Sequence, residues 1–188
     1  MDAVVFVGFD WSRYLRLRPA LASGDGIGSY RTLEDAEAQA VIAQLPEEAS
    51  GADIANCVLA EVCAVGTPVM CRRALVDLVK RLQTTDSGEA ASELLTELAL
   101  GRTNIEPWFQ SDVGLIGLLT PAETRRLREH LNEHAAERPV QTRRGGLAGV
   151  IDLMRADGSE DALIAEIRTL AVWCAAAQFG MAALTRDS

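Results

Sequence analysis

The sequence predicts a mainly helical fold: one domain of seven or eight helices, with a short antiparallel pairing of its N- and C-terminal strands. Three observations carry this reading. From Thr32 almost to the end, apolar residues recur with the helical period, at i, i+3, i+4 and i+7. At the two ends, AVVFVGF (3–9) and GMAALT (180–185) are instead compact apolar runs suited to buried strands. The chain also has 188 residues, is 48% hydrophobic and 24% charged, and can therefore bury one sizeable core.

The elements follow in order. After the first strand, Asp10 and Ser12 offer helix caps to WSRYLRLRPALAS, which Pro19 should distort or end. SGDGIGS then reads as a connector. TLEDAEAQAVIAQL, from Thr32, places Ala38, Val41, Ile42 and Leu45 on one helical face before Pro46 stops it. Residues 52–65, ADIANCVLAEVCAV, are apolar nearly all round, which predicts a helix enclosed at the centre of the fold. Thr67 and Pro68 have the residue types of an N-cap and first helical position, opening a helix with Cys71, Leu75, Leu78, Val79 and Leu82 inward. Asp86 with Glu89 resembles a capping box for a helix that reaches Leu100, and Gly101 is its stop.

Residues 102–112, RTNIEPWFQSD, break the periodicity and mark the one plausible subdivision of the chain. VGLIGLL (113–119) reads as a short strand or a buried connection. Thr120-Pro121-Ala122-Glu123 is a capping box with proline at the first position, opening a helix to about Glu137. Leu147, Val150, Ile151 and Met154 form another helical stripe. After Asp157-Gly158-Ser159, the last helix turns Leu163, Ile164, Ile167, Leu170, Ala171 and Cys174 inward, up to Gly180.

Charge and cysteine usage bound the function. A net charge of −9 argues against phosphate backbones and anionic lipid, so neither nucleic acid nor membrane is an expected partner. Cys57, Cys63, Cys71 and Cys174 include no C-x-x-C pair and sit among apolar neighbours. They read as reduced, buried thiols, which points to the cytoplasm. Lys80 is the single lysine beside many arginines and alanines, a coding bias expected of a GC-rich bacterial genome.

Two segments carry candidate chemistry. His130-Leu131-Asn132-Glu133-His134 is a literal H-x-x-E-H holding the only two histidines. On a helix this spacing places both imidazoles on one face, as metal ligands for zinc, with Glu133 as general base. Those five residues resemble the inverzincin metallopeptidase signature, which implies a metal-dependent hydrolase with a further acidic ligand downstream. The competing expectation is a solvated amphipathic helix, because arginines and glutamates crowd the segment. The other segment is NIEPWFQSD, where Trp108 and Phe109 stand adjacent in a polar connection. They are expected either to plug the helical core or to anchor an interface. GDGIGS (24–29) lacks the context of a phosphate loop and reads as a connector. Arg143-Arg144-Gly145-Gly146 has the residue types to present guanidinium groups and a helix N-terminus to an anion, but a surface loop is the leading reading. No G-x-S-x-G elbow is present. Strong acidity without a convergent catalytic set makes a non-enzymatic interaction protein the leading expectation, of the immunity or inhibitor kind, binding a basic protein. The metal-dependent hydrolase is the alternative.

Overall fold

The computed structural model describes residues 3–23, 30, 33–71, 75–101, 114–137 and 158–186. Within them lie seven helices and one four-stranded sheet. The order is β1 (Ala3–Phe9), α1 (Trp11–Ser23), α2 (Ala36–Ile42), α3 (Gly51–Val62), β2 (Ala64–Cys71), α4 (Leu75–Leu82), α5 (Asp86–Leu100), β3 (Leu115–Leu119), α6 (Pro121–Glu137), α7 (Gly158–Ala177) and β4 (Gly180–Arg186).

The terminal strands do pair, antiparallel and in continuous register from Ala3 opposite Arg186 to Phe9 opposite Gly180. The sheet is larger than that pair, with strand order β2-β1-β4-β3 and every neighbour antiparallel. VGLIGLL supplies the edge strand β3, so of its two readings the strand holds. Strands from before and after residues 101–112 therefore share one sheet.

Each strand alternates between two cores. On β1, Val5, Val7 and Phe9 face one side, packing with Tyr14, Leu17 and Leu21 of α1, Ile42 of α2 and Ile54, Val58 and Leu59 of α3. Phe6 faces the other side, with Leu78 and Leu82 of α4, Leu95 and Leu98 of α5, Leu127 and Leu131 of α6 and Ile167 of α7. Successive strand residues point to opposite faces, so a sheet covered by helices on both sides needs apolar residues at every position. That requirement explains the unbroken apolar runs at both termini.

The helix expected from Thr67 is a strand instead. Ala64–Cys71 pairs with β1 and places Val69 and Cys71 in the core, and the next described helix is α4, Leu75–Leu82. The N-cap chemistry of Thr67-Pro68 is real but local; pairing along the open edge of β1 outweighs it. Pro68 is tolerated because it lies in a bulge at the sheet edge, where its missing N–H breaks no ladder. Phe6 pairs with Val69 and Gly8 with Val65, so one residue of β1 faces three of β2. Gly66 in that bulge has φ +82, and the Trp173 indole of α7 lies directly over it and over Gly8. A Cβ at either glycine would sit within 2.8 Å of that ring.

Smaller differences concern helix ends. Asp10 caps α1, accepting from the Arg13 amide at 2.9 Å. The helix continues past Pro19, because Pro19 and Leu15, whose carbonyl loses its i+4 donor, lie on the exposed side, open to water. Ser50 and Asp53 form the capping box of α3, which ends at Val62 rather than Val65. Its outer side carries exposed Asp53 and Glu61, while Ile54, Ala55, Asn56, Val58, Leu59 and Val62 are buried. The N-cap of α5 is Thr85, one residue before the expected Asp86. The Thr120–Glu123 box forms as read: Glu123 Oε2 accepts from the Thr120 amide at 2.9 Å and its hydroxyl at 2.8 Å. No described helix is long and apolar enough to cross a membrane.

Candidate functional site

The H-x-x-E-H segment occupies the last two turns of α6, and its residues have separate surroundings. Thr124, Leu127, Leu131 and His134 form the buried stripe of that helix. His134 is only 1% exposed, and its Nδ1 shares a 2.6 Å hydrogen bond with Thr85 Oγ1. The same Thr85 oxygen accepts from the Gly88 amide at 3.0 Å, so the imidazole is docked on the N-cap of α5. Gly88 makes this possible: a Cβ there would meet Nδ1 at 2.6 Å and collide with the Leu82 carbonyl. His130 is half-buried at the rim, its Nδ1 3.7 Å from Glu133, whose carboxylate is exposed to solvent.

One turn beyond, Glu137 Oε2 accepts from the Ser87 hydroxyl at 2.6 Å. The Ser87 hydroxyl holds the Glu137 carboxyl below the usual carboxylate range, helped by Thr85, the Ser87 amide and the charge of His134. The segment thus latches the C-terminus of α6 to the N-terminus of α5. Among the described residues, no group of three or more His, Cys, Asp or Glu is placed to hold a metal ion. The histidine spacing was legible as a shared helical direction; that one ring is docked on a neighbouring helix was not.

The second polar cluster centres on Arg13 of α1. Its guanidinium donates to both Asp35 oxygens, from Nε at 3.0 Å and from Nη2 at 2.7 Å. Nη1 donates to the Val62 carbonyl at the end of α3 at 3.1 Å and lies 2.7 Å from Glu37. Asp35 is also the N-cap of α2, accepting from the amides of Glu37 and Ala38. Arg13 therefore ties three helix ends together. Hydrogen bonding to Arg13 is the main cause that holds the Asp35 carboxyl below its ordinary value.

All four cysteines are free thiols; Cys63, Cys71 and Cys174 are buried and Cys57 is half-buried. Burial pushes the Cys63 and Cys174 thiols up to about 12, and that of Cys57 upward too, aided by Asp53 and Glu61. A thiol that stays protonated is a poor nucleophile, so these side chains act as small apolar groups.

An exposed acidic ridge lies on α5. Ser87, Gly88, Ala91, Ser92, Leu95, Leu98 and Ala99 are buried, which turns Asp86, Glu89, Glu93 and Glu97 outward as one exposed acidic ridge. The helix, DSGEAASELLTELAL, contains no lysine or arginine. The ridge ends at Leu100, which is 72% exposed. Asp86 and Glu89 complement the positive end of the helix dipole, a sufficient local reason for both. Glu93 and Glu97 follow Glu89 at i, i+4 intervals towards the negative end of that dipole. Like charges so spaced destabilise a helix by about 0.2–0.5 kcal/mol per pair. The sequence carries the signal as four carboxylates at spacings of three and four without a basic residue, the first two of which also fit a capping box.

Trp108 and Phe109 lie outside the described residues, as do GDGIGS, Arg143-Arg144-Gly145-Gly146 and the Leu147–Met154 stripe. No protein-family model, no curated protein and no solved structure matches the chain.

Proposed function

We propose that the chain is a non-enzymatic interaction module, of the immunity or inhibitor kind, which binds a basic protein partner through the outer face of α5. The observation that carries this reading is the Asp86–Glu89–Glu93–Glu97 ridge running onto exposed Leu100. Like charges at i, i+4 spacing oppose helix stability. A basic partner would relieve the repulsion, steer association over long range, and cover an apolar anchor at the end of the ridge. The buried thiols and the docked His134 contribute packing to this module rather than reactivity.

The test compares affinity capture from native cell extract by the wild type, by Glu93→Lys/Glu97→Lys, and by Glu47→Lys/Glu48→Lys, a control of equal net charge on exposed loop residues. The expected result is one basic protein retained by the wild type and the control, released by salt and lost by the ridge variant. Retention of the same proteins by all three, or of none by any, overturns the reading.

A further inference from the structure

We draw no further inference here: the strongest candidate, the exposed apolar patch of Val172 and Trp173 on α7 beside the bulged edge strand β2, carries nothing because the structure does not show what covers it.

Discussion

The side-chain amide of Asn56 takes the place of a neighbouring strand for Leu115. Its Oδ1 accepts from the Leu115 amide at 2.9 Å and its Nδ2 donates to the Leu115 carbonyl at 3.4 Å. Asn56 is 1% exposed and lies in the middle of α3, 59 residues away from Leu115 in the chain. β3 is an edge strand, and its outward backbone groups would otherwise be buried under α3 without partners. Gly114, at φ +91, leaves the space: a Cβ there would collide with Asn56 Oδ1.

Asn56→Leu should therefore destabilise the fold by about 2–3 kcal/mol, because it leaves two buried backbone groups unpaired while keeping side-chain volume. Gly114→Ala should be destabilising for a different reason, the clash and the left-handed backbone. Chemical denaturation measures both. A loss below about 0.5 kcal/mol for Asn56→Leu would mean that water or a shift of α3 satisfies Leu115 equally well.

Much of this was legible beforehand, and the rest was not for specific reasons. Helices with a wet face announced themselves, because Leu127, Leu131 and Ile167 keep the 3.6 period that burial on one side demands. The two terminal strands were legible as apolar runs. β2 was not, since Gly66, Thr67 and Pro68 in its middle belong to a bulge and satisfy no strand pattern. Its identity is set by the vacant edge of β1, a contact with residues some sixty positions away. Asn56 likewise looked like an interruption in an apolar helix, when its partner is a backbone group on a distant strand. His130 and His134 were legible as a spacing, but only the fold distinguishes the docked ring from the one at the rim.

The two histidines should respond very differently to truncation. His134→Ala removes a buried ring and the partner of the Thr85 hydroxyl, so a loss of about 2–4 kcal/mol is expected. His130→Ala, at the half-exposed rim, should stay within about 0.5 kcal/mol. Thr85→Ala should cost about 1–2 kcal/mol as a lost N-cap. Because His134 and the cap share one hydrogen bond, the double variant His134→Ala/Thr85→Ala should lose less than the sum of the single losses. Strict additivity in thermal or denaturant unfolding would show that the 2.6 Å contact is not coupled to the cap.

Acid should loosen the Arg13 cluster in a defined direction. The folded-state pKa of Asp35 is depressed, chiefly by the hydrogen bonds from Arg13. Its contribution to stability is therefore complete well above the unfolded carboxyl value of about 3.9 and is lost as pH falls through that value towards the folded one. Asp35→Asn should lower stability at pH 7 and flatten the decline below about pH 5 relative to wild type. Arg13→Lys should behave similarly at pH 7, since an ammonium cannot reproduce the two-pronged contact with Asp35 together with the bond to the Val62 carbonyl. Urea midpoints measured from pH 3 to pH 8 provide the check. An Asp35→Asn curve parallel to wild type across that range would remove Asp35 from the acid response.

Val62 tests whether α3 belongs wholly to its own chain. It is 5% exposed and packs in the core formed by one sheet face with α1, α2 and the rest of α3. The Val62 carbonyl also receives the Arg13 guanidinium, so the backbone at that point is fixed from the α1 side. Val62→Asp places a carboxylate within this apolar cluster. Burying it without a partner should cost several kcal/mol, a large part of a typical stability of about 5–15 kcal/mol. The expected outcome is loss of helicity by circular dichroism and loss of soluble protein. Val62→Ala is the milder companion, since a buried valine shortened to alanine should lose only about 1–3 kcal/mol and remain folded. If Val62→Asp instead stays soluble with native helicity and elutes at half the wild-type mass, its apolar face serves a subunit contact rather than the internal core.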